Sequence, residues 1–353
     1  MTEMPTQIIS VDAEHPSDSL LMPAAMALRQ GQLVAFPTET VYGLGANALD
    51  AAAVRAIYAV KGRPGDNPMI VHVTCVADLL PLVQTMTPLA EKLFAAFSPG
   101  PLTLVMLKSQ IVPDVVTAGL DTVAVRIPSH PVARRLIELA GVPVAAPSAN
   151  RSGRPSPTRA WHVELDLAGR IPFIIEAGNS EFGLESTVVD VTAEVPVILR
   201  PGTITAAAIR EVAGAVAGAG VQLADPDRAP RSPGMKYRHY APRARVVIAD
   251  EPDLAARALQ VRQMAESLIA EGQLTGVFGC AELMTGLPDQ VETAVYGRTP
   301  DAAAAGAALF DALRRLDQIG VAVIIAEGLS DQGVGAAYMN RLRKAAETSI
   351  KEK

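Results

Sequence analysis

Along the first 200 residues, short apolar runs alternate with stretches of helical spacing. Leu33–Phe36, Met69–Val73, Leu102–Leu107, Thr122–Ile127, Val142–Ala146, Pro172–Glu176, Thr187–Val191 and Val197–Leu199 are rich in Val, Ile and Leu, and read as strands. Between them, Asp50–Val60 places Ala53, Ile57 and Val60 on one helical face behind an Asp cap. Leu89–Phe97 is a second predicted helix, stopped by Ser98-Pro99-Gly100-Pro101, and Pro131–Ala140 and Ala206–Ala217 are two more. Many strands with few tight hairpin signals predict a twisted, mixed, open sheet with flanking helices, an α/β fold. From Arg245 the pattern becomes more regular. Strands Arg245–Ala249, Gly276–Cys280, Val291–Val295 and Val321–Glu327 are interleaved with helices Leu254–Glu271, Asp301–Gln318 and Ala336–Ala346. This second, smaller unit is a Rossmann-like α/β pattern with a largely parallel sheet.

Charge locates the joint between the two patterns. The 353 residues carry a formal net charge of −6. Residues 1–200 hold 14 Lys/Arg against 19 Asp/Glu (−5), 201–245 hold 7 against 3 (+4), and 246–353 hold 10 against 15 (−5), which together give the −6. Arg228–Arg245 has six basic residues and no acid, and its prolines forbid a buried helix or central strand. The expected organisation is a first domain at 1–218, a basic linker at 219–245 and a smaller C-terminal domain at 246–353. The linker is either a solvated tether or, given Met235, Tyr237, His239 and Tyr240, something that adheres.

Composition narrows the class. Cys75 and Cys280 exclude a disulfide scaffold and a Cys-rich metal site. The acidic total disfavours a nucleic-acid coat. No apolar run reaches the roughly 18–20 residues of a membrane span, and the N-terminus lacks the basic-then-apolar pattern of a signal peptide. The expectation is a cytoplasmic protein with no membrane partner.

Polar residues gather at strand ends, where open sheets bind ligands. Phe36-Pro-Thr-Glu-Thr-Val-Tyr-Gly-Leu-Gly45 offers hydroxyls and bare backbone N–H groups at a strand exit, or is an ordinary Gly-rich turn. Lys61-Gly-Arg-Pro-Gly-Asp-Asn67-Pro68 is either a basic solvated loop or a polyphosphate clamp, with a point charge and a bidentate fork. It is not a P-loop. His72 is a structural histidine or a ligand contact, and Arg126 pairs with a substrate carboxylate or with a structural carboxylate. Ser148 and Asn150 are spaced as a hydroxyl and an amide beside a phosphate or ribose. Ser186-Thr187 opens one strand, and Arg200-Pro-Gly202 closes another. There is no G-x-S-x-G elbow, no H-E-x-x-H and no His/Cys cluster. The inventory suits a site that binds a polyphosphate and a small zwitterion and works by positioning and charge neutralisation.

Taken together, Phe36–Ala46, Lys61–Pro68, Ser98-Pro-Gly-Pro-Leu-Thr103, Pro147–Gly153, Ser186-Thr187-Val188 and Leu199-Arg-Pro-Gly202 resemble the YrdC/Sua5 threonylcarbamoyl-AMP synthases. Lys61-x-Arg63 with Ser148-x-Asn150 matches that family's signature. Ser232–Pro242 and Gly335–Ala346 resemble the linker and C-terminal domain of its longer, Sua5-type members.

The resemblance implies a nucleotidyltransferase that makes L-threonylcarbamoyladenylate from L-threonine, bicarbonate or CO2, and ATP, releasing pyrophosphate. Mg²⁺ would arrive on the ATP. The product would feed a transferase that modifies adenosine 37 of tRNA, so tRNA is an indirect partner. Carried over by matching positions, Thr40, His72, Arg126, Ala146 and Ser186 would hold threonine. Lys61, Arg63, Asn67, Thr122, Ser148, Asn150, Ser156 and Arg200 would hold ATP, with His239 and Tyr240 folding over the nucleotide. Two other readings compete: an RNA-binding module, and a carbamoyl-transfer or hydrolytic relative with another acceptor.

Overall fold

The computed structural model describes residues 5–218 and 239–346. They group into two compact units, one of residues 5–152 and 156–218, the other of 153–155 and 239–346. Most of the basic linker, including Met235 and Tyr237, lies outside the described residues.

The first unit is built on strands β1 (Gln7–Ser10), β2 (Val34–Phe36), β3 (Gly43–Asn47), β4 (Ile70–His72), β5 (Leu102–Leu107), β6 (Thr122–Arg126), β7 (Val144–Ala145), β8 (Phe173–Glu176), β9 (Thr187–Asp190), β10 (Val197–Arg200) and β11 (Ala217–Gly218). They form one sheet in the order β1-β8-β2-β3-β7-β4-β6-β5-β9-β10-β11. β4 runs parallel to β6, and β5 to β9, while β6 and β5, β7 and β4, and β9 and β10 are antiparallel. The sheet is therefore mixed.

Its two faces are covered differently. On one face, Val71, Val123, Val125, Leu102, Leu104 and Val189 join Val54, Ile57, Leu93, Phe94 and Ile209 from the helices Ala51–Lys61, Pro88–Phe97 and Ala206–Ala213 in the larger core. On the other face, Val34, Phe36, Val144 and Ile175 pack under the helices Asp18–Arg29 and Pro131–Ala140. Further across the sheet, Ile70, Val105, Ala124, Val188 and Leu199 form a separate small cluster in which, among the described residues, no helix residue takes part. Because side chains alternate along a strand, His72, Thr122 and Arg126 share this face with Ile70 and Ala124.

Several elements depart from the sequence reading. β1 and the helix Asp18–Arg29 were not expected, because only Ile9 of β1 is buried and Pro23 lies inside the helix. Burial of Leu21, Ala24, Ala25, Ala27 and Leu28 outweighs a proline cost of about 3 kcal/mol. β3 falls within the Gly-rich stretch read as a loop. Gly45 is required there, since a Cβ would come within 2.7 Å of the Phe36 ring and 2.8 Å of Val144 Cγ1. The helix Ala160–Leu167 was also unexpected, and the helix from Ala206 stops at Ala213, before Gly214.

The second unit has a four-stranded parallel sheet of β12 (Arg245–Ala249), β13 (Thr275–Gly279), β14 (Glu292–Val295) and β15 (Val323–Glu327), in the order β12-β15-β13-β14. The helices Leu254–Ala270, Ala302–Ile319 and Gly335–Ala346 accompany it, close to the sequence reading. Glu327 ends β15 fully buried and saturated: Arg257 lies 2.7 Å from Oε1, while the Cys280 N–H and the Tyr296 hydroxyl donate to Oε2 at 2.8 and 2.7 Å. Among the described residues, no helix is long and apolar enough to cross a membrane.

Candidate functional site

The small strand cluster of Ile70, Val105, Ala124, Val188 and Leu199 adjoins several of the polar residues singled out in the sequence. Register explains how. His72 pairs with Arg126, Arg126 with Thr103, and Thr103 with Val188, so one row across β4, β6, β5 and β9 brings His72, Arg126 and Thr103 to a common edge beside Ser186. Arg200 would point to the opposite face by simple alternation. A bulge between Ile198 and Arg200 turns it instead to stand opposite Val188. Gly202 then lets the chain pass so close to β9 that a Cβ would lie 2.3 Å from the Thr187 nitrogen.

Arg126 is the hub of the first cluster. Its Nη1 donates to Thr40 Oγ1 at 2.8 Å, its Nε donates to the Gly100 carbonyl at 3.3 Å, and its Nη2 lies 2.7 Å from Glu39 Oε1. Both members of the ion pair are almost wholly buried, with side-chain exposures of 4% and 3%. Thr38 donates to the Val41 carbonyl at 2.6 Å, which leaves the Thr40 hydroxyl to donate to Thr38 Oγ1 at 2.8 Å. A relay of donors thus fixes the Arg126 fork from the β2–β3 connection. Next to it, the Ser186 and Thr103 hydroxyls share a hydrogen bond of 2.7 Å, and Arg200 donates to Ser186 Oγ and to the Ser186 carbonyl, both at 3.2 Å.

The second cluster joins the two halves of the signature. Lys61 is the last residue of its helix, where the helix dipole favours a cation, and Gly62 caps the helix in the left-handed region. Its buried ammonium donates to the carbonyls of Ser148 and Asn150. The Ser148 hydroxyl donates to Asn150 Oδ1 at 2.6 Å, and Asn150 Nδ2 donates to the Arg151 carbonyl at 2.8 Å. Arg63 braces its own loop through the carbonyls of Asn67 at 3.2 Å and Pro68 at 2.8 Å. Tyr58 donates to the same Asn67 carbonyl at 3.1 Å. Ser156 donates to buried Glu185, the residue before Ser186.

Electrostatics follow from burial. Burial opposes ionisation of Glu39, but the Arg126 charge and N–H groups hold its carboxyl below the usual carboxylate range. Burial, helped by the Arg126 charge and opposed by Glu39, pushes His72 down to about 3, so its imidazole is neutral; among the described residues its Nδ1 has no hydrogen-bond partner. An unfolded histidine titrates near 6.5. Between about pH 3 and 6.5 the unfolded chain therefore binds a proton that the folded chain refuses, and stability falls as pH falls through that window. Denaturation midpoints of the wild type should drop more steeply from pH 7 to 5 than those of His72→Gln. The excess slope should approach about 1.4 kcal/mol per pH unit below 6.5, and equal slopes would show that His72 is not held neutral.

The structure brings Thr40, His72, Arg126, Ser186 and Arg200 together in one cluster, and Lys61, Ser148 and Asn150 in another, with Arg63 and Asn67 on the loop that follows Lys61. Ala146 donates its N–H to the Ile70 carbonyl, in the layer between β3 and β4. Thr122 lies at the opposite end of β6 from Arg126. Tyr240 belongs to the second unit, where its ring stacks on Phe310 at 5.1 Å and lies under the Arg341 guanidinium, and its neighbour His239 belongs to the same unit. Glu39, Thr103 and Glu185 were missed as site residues. Each stands inside or beside a motif already singled out, but no local pattern marks a carboxylate as the partner of an arginine 87 positions away.

Comparison with known proteins matches most of the chain to two family models and to solved and curated relatives. The family model described as telomere recombination, covering Sua5, YciO and YrdC proteins, matches residues 26–202. One described as threonylcarbamoyl-AMP synthase, C-terminal domain, matches residues 204–347. The chain is 49% identical to the threonylcarbamoyl-AMP synthase of Pyrococcus abyssi over 92% of its own length and 93% of the relative's. It is 45% identical to that of Bacillus subtilis, over 94% of each chain. The solved structure of P. abyssi Sua5 complexed with L-threonine superposes with a TM-score of 0.90 at 46% identity, covering 97% of this chain and 98% of that one.

Proposed function

The chain belongs to the Sua5/YciO/YrdC family, in the long form that carries the synthase C-terminal domain, and on that footing we propose that it is an L-threonylcarbamoyladenylate synthase acting on L-threonine, bicarbonate or CO2, and ATP. What supports this reading is the presence, within one unit, of a buried Arg126 held by Thr40 and Glu39 and of a Lys61 ammonium bonded to the carbonyls of Ser148 and Asn150.

The Arg126 fork binds the threonine carboxylate, oriented by Thr40, with the Ser186 hydroxyl and neutral His72 alongside. The amine, once deprotonated, adds to CO2 to give a carbamate. A carbamate oxygen attacks the ATP α-phosphorus, the bond to the bridging oxygen breaks, and pyrophosphate leaves with that electron pair. Negative charge on the transferring phosphoryl group calls for fixed cations, and Lys61, Arg63 and Arg200 supply them. Asn67, Thr122, Ser148, Asn150 and Ser156 position the nucleotide. Mg²⁺ is read as a companion of ATP that neutralises phosphate charge. The product passes to a transferase that places the threonylcarbamoyl group on adenosine 37 of tRNA.

Pyrophosphate release from ATP tests this reading. With L-threonine or bicarbonate omitted in turn, release should fall to the no-enzyme background. Release that persists without threonine overturns the assignment in favour of another acceptor.

A further inference from the structure

Glu39 poses a question that carboxylate binding alone does not answer. A pocket meant only to attract an anion gains from an uncompensated arginine, yet here the arginine is met by a carboxylate 2.7 Å away, with both side chains buried. Glu39 is held on a connection fixed at several points: its carbonyl accepts from the Phe182 N–H at 2.8 Å, and the Thr38 and Thr40 hydroxyls beside it are tied to Val41 and Arg126. The other titratable groups facing it are His72 on β4 and His130 at the cap of the next helix. Burial depresses the pKa of both. The formal charge of Glu39 and Arg126 together is therefore zero.

Buried charge must be balanced. Arg200, which donates to Ser186 in the same cluster, is the cation assigned to the phosphates. At the carboxylate end, a simple carboxylate arriving at Arg126 would leave the Glu39–Arg126 pair with a net charge of −1. An α-amino acid brings a cation with its anion and leaves the sum at zero. We propose that Glu39 is a specificity-determining residue that makes this pocket electroneutral, so that it admits a zwitterionic α-amino acid and rejects the corresponding hydroxy acid anion. The inference rests on the assignment of the Arg126 pocket to L-threonine.

Calorimetric titration of the full chain with L-threonine and with (R)-3-hydroxybutanoate, which is threonine without its amine, separates the possibilities. The wild type should bind L-threonine at least about tenfold more tightly than the hydroxy acid, and Glu39→Gln should reverse or abolish that ratio by losing threonine affinity while keeping or improving that for the hydroxy acid. If Glu39 only steadies Arg126, both ligands lose affinity in equal proportion and the inference is overturned. A wild type that binds the two equally overturns it with no variant needed, which keeps the test open should Glu39→Gln fail to fold. A wild type that binds no L-threonine overturns the pocket's assignment first and the inference with it.

Discussion

Lys61→Ala should lower kcat/KM for threonine-dependent pyrophosphate release by about 10²–10³-fold, the range seen when one preorganised charge-stabilising donor is removed. Two losses add up in this substitution. The ammonium is the buried cation of the clamp, and it also ties the carbonyls of Ser148 and Asn150 to the end of the helix Ala51–Lys61. Lys61→Arg separates them: charge is kept, but a planar fork cannot reproduce a point donor between two carbonyls. Most of the defect should persist in Lys61→Arg if clamp geometry dominates, and most should be recovered if charge dominates. Unchanged turnover in Lys61→Ala would remove Lys61 from the site.

Arg126→Met should cost about 3–5 kcal/mol of stability at neutral pH, because it leaves Glu39 buried without its ion-pair partner. The sign of the pH dependence is diagnostic. With Arg126 present, the folded Glu39 carboxyl titrates below its usual range, so the pair contributes stability at neutral pH that is lost in acid. With Arg126 removed, burial alone acts and raises that pKa, so the variant's deficit should shrink as pH falls and Glu39 takes up a proton. The double variant Arg126→Met/Glu39→Gln should regain most of the stability and none of the threonine-dependent turnover. Denaturation curves and pyrophosphate assays on the three proteins decide it. A double variant no more stable than Arg126→Met would mean that the cost comes from lost packing.

Much of the fold can be read along the chain because its strands are short apolar runs separated by capped helices. Asp50 accepts from Ala52 and Ala53, Asp301 from Ala303 and Ala304, and the helix Pro131–Ala140 has the bounds its pattern predicts. Misreadings occurred where tertiary packing overrode a local signal, as when a helix tolerates Pro23 to bury its apolar face, or when β3 forms from a glycine-rich stretch because Phe36 and Val144 leave no room for a side chain. Residues 153–155 also group with the second unit, where Arg314 donates to the Pro155 carbonyl at 3.1 Å, although their sequence neighbours belong to the first.

The site divides along the same line. Sequence alone determined the types of group at the ends of strands and of the helix Ala51–Lys61, namely Lys61, Arg63, Arg126, Ser148, Asn150, Ser186 and Arg200, since these stand in recognisable motifs beside predicted elements. It also separated an acidic total from a local set of cations. The tertiary structure alone decided which groups meet. Strand order set His72 against Arg126, a bulge aimed Arg200 at Ser186, and the β2–β3 connection carried Glu39 to Arg126. The physical reason is one of range. Propensity, capping and hydrophobic period act over a few residues and leave a record in the chain, whereas the partner of a buried charge is chosen by the register and crossing of strands far apart in sequence.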